Sequence, residues 1–286
     1  MKILIIGASG LVGQVATKLL SGKHEVHGTY NSHTLKVGNR LDVTIGENVS
    51  KQIGQIRPDV VLDTHSLLAD YCELHKEEAW NVNVMGTKNV VEASKSVGAT
   101  YIFISSDYIF DGEKRIYGED AAPTPLNYYG FTKAIAESMI QSSYASVIIA
   151  RTSFIYGLQN KGFVNFIASN LREGKMVDVI SDEYGSPTLA HNLVEIIIDL
   201  AESRHYGVFN IAGKDCISRY DFAKEIAVQF GLDEKLLTPV SHTNIARSAR
   251  RALKVRFDTS KVESASTVKL VGVKDGLKAM LKAEIK

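Results

Sequence analysis

The feature that most constrains this chain is a Gly-x-x-Gly-x-x-Gly spacing directly after the first apolar run. Ile3–Ile6 has the apolar character of a buried strand, and Leu11–Leu20 carries apolar residues at the spacing of one helix face. Gly7, Gly10 and Gly13 are the three glycines of the spacing. Glycines allow a tight turn and a close approach of the backbone to a pyrophosphate, and a helix N-terminus favours an anion. A strand, this turn and a helix in that order predict a dinucleotide site, with an ordinary strand-to-helix turn as the alternative.

Strand and helix patterns continue to alternate through the first half of the chain. Beyond the first helix, the predicted segments are strand His24–Thr29, helix Val49–Ile56, strand Val60–Asp63, helix Glu77–Ser96, strand Tyr101–Ser105, helix Tyr129–Gln141 and strand Ser146–Arg151. Apolar runs without alternation, such as Val147–Ala150, are typical of strands that are covered on both faces. The pattern predicts an α/β fold, a Rossmann-type doubly wound parallel sheet with helices on both sides.

The second half of the chain is less regular. Its predicted segments are the helices Phe163–Glu173, Leu193–Ala201 and Arg219–Gln229, with Ser218 as N-cap of the last, and the strand Val208–Ile211. We expect residues 1–155 to form a dinucleotide-binding domain that is rejoined by about 190–214. Residues 156–189 and 215–286 would then form a smaller C-terminal substrate-binding lobe.

The composition narrows the class of protein. The 286 residues are 45% hydrophobic and carry a net charge of +1, which disfavours disorder, nucleic acid and an anionic membrane surface. The apolar start is too short for a signal peptide, and no apolar run reaches the roughly 20 residues of a membrane span. Two distant cysteines, Cys72 and Cys216, indicate a reducing interior. We expect a cytoplasmic protein without a metal site, since no His, Cys and carboxylate cluster has ligand spacing.

A hydroxyl residue, Ser106, precedes a Tyr-x-x-x-Lys pair formed by Tyr129 and Lys133. Residues four apart on a helix share one face, and an ammonium beside a phenol favours the phenolate. We therefore expect Lys133 to lower the pKa of Tyr129, which would make a proton donor or acceptor that works near neutral pH. The structural alternatives are a helix face with an exposed lysine and a strand-end hydroxyl that caps a turn.

The end of the second predicted strand bears on the choice of dinucleotide. NAD sites usually place an acid there, but Thr29–His33 contains none, so NADP(H) is preferred while NAD(H) stays open. The candidates for the 2′-phosphate are His33, Lys36 and Arg40, each of which is also readable as a surface charge. Asp42, in a predicted third strand end at Leu41–Val43, either accepts from the adenine amino group or starts a turn.

Several longer motifs make the chain resemble the extended short-chain dehydrogenases/reductases, and among them the dTDP-4-dehydrorhamnose reductase family. Besides the glycine spacing and the Tyr-x-x-x-Lys pair, the resemblance rests on Pro58–Val61, Ala69–Glu73, Asn83, Ser105–Gly112, Arg151–Gly157, Gly185–Thr188 and Leu253–Lys261. The Asp-Tyr-x-Phe-Asp-Gly block at Asp107–Gly112 and the Gly-Ser-Pro-Thr block at Gly185–Thr188 are specific to this family and its near relatives. The resemblance covers nearly the whole chain.

The resemblance implies an activity and a set of site residues. The activity is NADPH-dependent reduction of a 4-keto nucleotide sugar, dTDP-4-dehydro-L-rhamnose to dTDP-L-rhamnose, in dTDP-rhamnose biosynthesis, and a homodimer is left open. The implied catalytic residues are Ser106, Tyr129 and Lys133. The implied cofactor-binding residues are Gly7, Ser9, Gly10, Leu11, Val12, Gly13, Asn31, Ser32, Asp42, Val43, Thr64, His65, Ser66, Asn83, Tyr129 and Lys133. The implied substrate-binding residues are Ser106, Asp107, Tyr108, Phe154, Phe163, Asn165, Gly185, Ser186, Pro187 and Thr188.

The chain departs from the family pattern at four places. Asp63-Thr64-His65 replaces the usual Asn-Ala-Ala, Phe154 a tryptophan, Asp182-Glu183 the usual Asp-Gln, and Arg251-Ala252 the usual Arg-Pro. The changes at Phe154 and Glu183 touch the substrate pocket and leave the exact sugar open. His65 is either a new polar contact or a packed histidine, and we favour packing because isolated histidines are often partly buried.

Three other functions remain open on this scaffold. A sugar 4,6-dehydratase would carry Asp-Glu after the hydroxyl, whereas the chain has Asp107-Tyr108. A 4-epimerase would return the hydride and keep its cofactor. The non-catalytic β subunit of methionine adenosyltransferase resembles this family, but Ser106, Tyr129 and Lys133 favour catalysis. The basic cluster Arg247, Arg250, Arg251, Lys254 and Arg256 is either a solvated face or a site for an anionic ligand or a partner.

Overall fold

The structure is a computed structural model that describes residues 1–32, 38–157 and 162–284. Within these residues the strands are β1 (Lys2–Ile6), β2 (Glu25–Tyr30), β3 (Asn39–Arg40), β4 (Val60–Asp63), β5 (Thr100–Ser106), β6 (Val147–Thr152), β7 (Ile155–Tyr156), β8 (Val177–Ile180), β9 (Tyr184–Gly185), β10 (Thr188–Leu189), β11 (Gly207–Asn210), β12 (Ile217–Ser218) and β13 (Leu237–Val240). The helices are α1 (Leu11–Leu20), α2 (Gly46–Ile56), α3 (Ala69–Leu74), α4 (Lys76–Trp80), α5 (Thr87–Ser96), α6 (Tyr128–Ser143), α7 (Phe163–Arg172), α8 (Ala190–Glu202), α9 (Arg219–Phe230), α10 (Ser260–Ala265) and α11 (Val273–Glu284). None of the described helices is both long and apolar enough to span a bilayer.

Seven parallel strands form the central sheet in the order β11-β6-β5-β4-β1-β2-β3. The chain runs outward from β1 to β3 on one side, then returns to β4 and runs outward on the other side. This order is that of a doubly wound Rossmann sheet, so the predicted fold class is confirmed. The order reverses between β1 and β4, where a crevice forms at the carboxyl ends of the strands.

Alternate residues of the sheet enter two separate apolar cores. Ile3 and Ile5 of β1 face a core that includes residues of α1 and α8, whereas Leu4 and Ile6 face a core built with α2, α5 and α6. A third apolar cluster lies off the sheet and joins α7, α9, α11, β8 and β13. Short strand pairs, β10 with β7, β12 with β9 and β13 with β8, lie outside the sheet. The division into a dinucleotide-binding domain (1–155 with about 190–214) and a substrate-binding lobe (156–189 and 215–286) stays a prediction.

The structure differs from the sequence expectations mainly in short or irregular elements. The predicted helix Glu77–Ser96 is interrupted by a π-helical turn at Asn81–Gly86, between α4 and α5. The third strand ends at Arg40, so the expected strand end at Leu41–Val43 is wrong. The six-residue helix α3 and the two-residue strands show too few turns or alternations for periodicity to reveal them. The predicted N-cap is confirmed, since the Ser218 hydroxyl accepts from the Asp221 N–H at 2.9 Å.

A buried ion pair fastens α6 to the sheet. The Arg151 guanidinium in β6 donates to the Glu137 carboxylate in α6 at 2.7 Å, and the two side chains are 3% and 1% exposed. A second donor of Arg151 reaches the Glu119 carbonyl at 2.9 Å. Since a buried charge is tolerated only when it is paired and hydrogen-bonded, this pair restricts where α6 can lie.

Replacing Glu137 with Gln should therefore be costly. We expect Glu137→Gln to lower the free energy of unfolding by about 3 kcal/mol, because Arg151 keeps its charge in an interior that no longer neutralises it. The matched control is Glu92→Gln, which breaks an exposed pair with Lys88 (3.9 Å) and should cost less than about 0.5 kcal/mol. Urea denaturation of both variants measures the difference, and equal losses would contradict the role given to the buried pair.

Candidate active site

The glycine turn lies at the crevice between β1 and β4. Gly7 has a φ of +81°, which side chains rarely adopt, and a Cβ on Gly13 would lie 2.4 Å from the Gly7 carbonyl oxygen. Gly10 is exposed and is the N-cap of α1, so the cap position has no side chain to hydrogen-bond the N–H groups that begin the helix. The predicted residues Ser9, Leu11 and Val12 lie in the same turn. This cradle fits a dinucleotide pyrophosphate, because a backbone without side chains and a helix N-terminus both face the crevice.

A wide cleft lies beyond the ends of β2 and β3. It has a volume of about 970 Å³ and is lined by Asn31, Asp42, Thr44, Leu74, His75, Lys76, Glu77, Glu78, Asn81, Val82 and Met85. The Asp42 carboxylate accepts from the Thr44 N–H at 3.0 Å and from its hydroxyl at 2.7 Å, so Asp42 starts a turn and also lines the cleft. Val43 is buried, whereas Ser32 and Arg40 are exposed. His33 and Lys36, proposed for the 2′-phosphate, lie outside the described residues.

The hydroxyl, tyrosine and lysine meet where β5 ends and α6 begins. Asn127 caps α6 by accepting from the Gly130 N–H at 2.8 Å. A Cβ on Gly130 would lie 1.9 Å from the Tyr108 carbonyl oxygen, so only glycine allows α6 this close to the residues after Ser106. As a result the Tyr129 phenol lies close enough to the Ser106 and Ser66 hydroxyls for both to influence its pKa.

The pKa of Tyr129 differs from the sequence expectation. Burial raises the pKa of the phenol above its ordinary value, Tyr108 and Asp107 add to the rise, and the nearby hydroxyls of Ser106 and Ser66 oppose it. The pKa of Tyr129 thus lies above its ordinary value, so the expectation that Lys133 lowers it is wrong. The Lys133 ammonium lies 6.0 Å from the centre of the Tyr129 ring and donates to the Ile104 carbonyl at 2.9 Å.

Lys133 is itself strongly perturbed. It is 3% exposed, and burial lowers the pKa of its amine to about 8, although the charges of Asp63, Cys72 and Glu137 oppose the shift. The amine therefore exchanges its proton close to physiological pH. A lysine in this state is able to act as a proton reservoir as well as a hydrogen-bond donor.

The loop after β4 is held by Asn83 and by a network around His65. The Asn83 side chain accepts from the Leu67 N–H at 2.8 Å and donates to the Leu67 carbonyl and the Thr132 hydroxyl, both at 3.2 Å. One ring nitrogen of His65 contacts the Asp63 carboxylate, and the other lies 3.0 Å from the Val82 carbonyl. His65 is mostly buried, as expected for packing, but it makes two polar contacts that simple packing does not include.

Asp63 is the centre of that network. Its other oxygen accepts from the Tyr101 hydroxyl at 2.6 Å. Burial raises the pKa of the Asp63 carboxyl, but His65 and Tyr101 outweigh that effect and the pKa lies below its ordinary value. Thr64 next to it donates to the Ile6 carbonyl at 2.8 Å, which ties β4 to the glycine turn.

The segment after Ser106 carries a second buried carboxylate. Asp107 accepts from the Ser106 hydroxyl at 3.1 Å and from the Ser153 hydroxyl at 2.6 Å. Burial raises the pKa of Asp107 despite these two hydrogen bonds. The ring of Tyr108 packs edge-on against Tyr129, with ring centres 5.6 Å apart.

The other residues implied for substrate binding lie in separate parts of the structure. Phe154 lies next to Ser153 at a φ of +43°, and the Arg219 guanidinium is 4.0 Å above its ring. Phe163 stacks on Phe222 in the cluster off the sheet, and Asn165 lies in the same helix, α7. Gly185, Ser186, Pro187 and Thr188 are all buried, and the Thr188 hydroxyl is occupied by the Ser186 carbonyl and the Gly213 N–H.

The basic cluster near the C-terminus is partly paired. Arg247 contacts the buried Glu183, which also accepts from Arg219 at 3.1 Å. Arg251 pairs with Asp70 at 2.6 Å. Arg250, Lys254 and Arg256 are exposed. The cluster therefore combines a solvated face with two arginines that are held by carboxylates.

A family model described as the RmlD substrate binding domain matches residues 1–285. The chain belongs to this family. It is 29% identical to a dTDP-4-dehydrorhamnose reductase of Aggregatibacter actinomycetemcomitans, over 92% of each protein. It is also 26% identical to the methionine adenosyltransferase 2 subunit beta of Mus musculus, over 98% of this chain and 87% of that protein.

Two solved structures are similar over the full chain. A dTDP-4-dehydrorhamnose reductase from Clostridium acetobutylicum is 31% identical, with a TM-score of 0.90 and 100% of each chain covered. The dTDP-4-dehydrorhamnose reductase from Bacillus anthracis, in complex with NADP, is 26% identical, with a TM-score of 0.91 and 99% of each chain covered. The family predicted from the sequence motifs is thereby confirmed.

Several residues of this RmlD-family site had no role in the sequence expectations. Tyr101 and Ser153 complete the buried network around Asp63 and Asp107, and Asp70 and Arg219 hold the arginine contacts. Asp70 lies within the family motif Ala69–Glu73, which indicated a role beyond helix formation. Tyr101 had no signal, because a tyrosine in an apolar strand reads as a core residue.

The low pKa of Lys133 makes stability depend on pH. Between pH 8 and 10.5 the folded amine releases its proton while the unfolded amine keeps it, so the unfolded state binds more protons and stability rises with pH. Relative to Lys133→Met, the wild type should gain roughly 3 kcal/mol of unfolding free energy from pH 7 to pH 10.5. Urea denaturation of both proteins without cofactor measures this gain. If the unfolding free energies of the two proteins changed with pH in parallel, the pKa of the Lys133 amine would not be lowered in the folded state.

Proposed function

We propose that this protein is an NADPH-dependent oxidoreductase that reduces the 4-keto group of a nucleotide sugar, dTDP-4-dehydro-L-rhamnose to dTDP-L-rhamnose. The observation that carries the proposal is the placement of Ser106 at the end of β5 with Tyr129 and Lys133 on the facing start of α6, beside the crevice that begins at the glycine turn. Relatives named dTDP-4-dehydrorhamnose reductase and the similar structure in complex with NADP support it. Bound NADPH supplies the hydride.

In this proposal Tyr129 donates a proton to the oxygen at C4 of the sugar as negative charge develops there. The raised pKa keeps the Tyr129 phenol protonated at neutral pH, so its proton is present when negative charge develops on the substrate oxygen. The Ser106 hydroxyl has one proton and donates it to Asp107 at 3.1 Å. The hydroxyl therefore has to rotate before it can donate to the substrate oxygen. Both hydroxyls then bind the oxygen more strongly as it becomes an alkoxide.

Lys133 replaces the proton that Tyr129 gives away. With a pKa of about 8, the amine is mostly protonated at neutral pH and loses its proton without a large energetic cost. Asn83 acts indirectly, because it fixes the loop that carries Ser66 against α6. The predicted preference for NADP(H) agrees with the absence of an acid at Asn31, and NAD(H) is allowed.

The reduction of 4-keto nucleotide sugars tests this proposal. We expect dTDP-4-dehydro-L-rhamnose to oxidise NADPH in equal amounts, with NADH less effective, when absorbance of the cofactor is followed across a panel of 4-keto nucleotide sugars. Interconversion of sugars without net NADPH consumption would indicate a 4-epimerase. Absence of turnover on every sugar, together with recovery of a stoichiometric enzyme partner, would favour a regulatory subunit like the methionine adenosyltransferase β subunit.

Tyr129→Phe should separate chemistry from binding. Loss of the phenol hydroxyl should reduce kcat roughly 10²–10⁴-fold, as expected for removal of a general acid, while the Kd for NADPH stays unchanged. Tyr128→Phe is the matched control, because Tyr128 is the neighbouring tyrosine in α6 and has no proposed part in the reaction. Wild-type turnover by Tyr129→Phe would exclude Tyr129 as the proton donor.

A further inference from the structure

The segment before α10 crosses the mouth of the site. Residues 245–259 contain no helix and only single bridging residues at Lys254 and Phe257. Irregular segments of this length are uncommon in compact domains, and many of them are active-site lids. We refer to residues Arg247–Val255 as the strap.

Several contacts hold the strap: Arg247 contacts Glu183, the Arg250 carbonyl accepts from Asn127 at 2.7 Å, and one ion pair joins Arg251 to α3. Arg251 donates to both oxygens of Asp70, at 2.6 Å and 3.2 Å, and the Ala249 N–H donates to the same carboxylate at 3.0 Å. Asp70 lies in the first turn of α3, just beyond the loop that follows β4. Two hydrogen bonds between one guanidinium and one carboxylate fix the relative orientation of the two groups as well as their distance. The Asp70 side chain is 46% exposed, so water is able to replace the contact when the strap moves.

The same arginine reaches the proposed proton donor through one other residue. The third donor of Arg251, Nε, contacts the Tyr108 hydroxyl at 3.0 Å. The ring of Tyr108 packs edge-on against the ring of Tyr129. Arg251 thus connects the strap, α3 and the tyrosine pair.

Two cavities of very different size lie on the two sides of Arg251. The inner cavity has a volume of about 10 Å³ and is lined by Asp107, Tyr108, Phe154, Glu183, Tyr184, Arg219, Arg251, Ala252 and Val255. The outer cleft has a volume of about 480 Å³ and includes Glu183, Arg247, Arg250, Arg251 and Lys254. Ligand pockets usually hold roughly 300–1,000 Å³, whereas the inner cavity has room for a single water. A sugar ring is therefore able to reach Asp107 and Tyr108 from this side only when the strap moves.

We propose that the strap is a gate over the sugar pocket and that Arg251 is the positioning residue that closes it. In the closed gate Arg251 pairs with Asp70 and holds Tyr108 against Tyr129. In the open gate the ion pair is broken and the inner cavity joins the outer cleft. Ala252 leaves the backbone after Arg251 free to rotate, which a proline at that position would restrict. The inference rests on the proposed function only in naming a sugar as the occupant.

Hydrogen exchange of the ligand-free protein tests the gate without any substrate. We expect Arg251→Met to speed exchange of the strap amides, Ala249 among them, by roughly tenfold or more, and Asp70→Asn to act in the same direction. Arg256→Met is the matched control, because Arg256 is exposed, belongs to the same basic cluster and lines neither cavity. The gate proposal is wrong if strap amides exchange no faster in Arg251→Met than in Arg256→Met. It is also wrong if Asp70→Asn leaves them protected, since the ion pair would then not be the anchor.

Steady-state kinetics on the holoenzyme test the positioning role. Arg251→Met should raise KM for the sugar nucleotide and lower kcat, while the Kd for NADPH stays unchanged. Arg251→Lys keeps the charge but loses the fork, so it should recover part of the strap protection without recovering kcat. If kcat and KM of Arg251→Met equal those of the wild type, Arg251 does not position the site. If the wild type itself reduces no 4-keto sugar, the proposed function fails, whereas the exchange comparison still decides the gate.

Discussion

The site depends on the close contact between α6 and the end of β5. Gly130 touches the Tyr108 carbonyl, Lys133 donates to the Ile104 carbonyl, and Glu137 pairs with Arg151 of the adjacent strand. These residues fall on successive turns of one helix face, so α6 is fixed along its length and not at a single point. Tyr129 precedes the first of these contacts, and its position beside Ser106 follows from them.

Burial of ionisable groups is the main electrostatic property of this site. Asp63, Asp107 and Lys133 are nearly inaccessible, and each is compensated differently: Asp63 by His65 and Tyr101, Asp107 by two serine hydroxyls, and Lys133 by a carbonyl. Burial moves the pKa of Asp107 up and that of Lys133 down, both towards neutral pH, whereas His65 and Tyr101 hold the pKa of Asp63 below its ordinary value. A buried charge costs the fold free energy, and the hydrogen bonds to these three groups offset part of that cost.

Three of the four departures from the family pattern converge in space although they are far apart in sequence, whereas the one at Asp63-Thr64-His65 lies elsewhere. Phe154, Glu183 and Ala252 all line the small inner cavity beside Asp107. Glu183 is occupied by two arginines, and one of them, Arg219, covers the ring of Phe154. Changes that share one wall of one cavity are expected to act together on the sugar that fits there.

The sequence alone determined the fold class, the glycine turn, the approximate bounds of the main strands and helices, and the Ser106, Tyr129 and Lys133 group, because periodicity and motif spacing are written along the chain. The π-helical turn at Asn81–Gly86, the short helix α3 and the two-residue strands were not predictable, since each depends on packing more than on local preference. Only the tertiary structure decided that burial raises the pKa of Tyr129 and lowers that of Lys133. It also brought Arg251 to Asp70, 181 positions earlier in the chain. Burial and the distance between charges are properties of the packed molecule, and no local pattern of residues contains them.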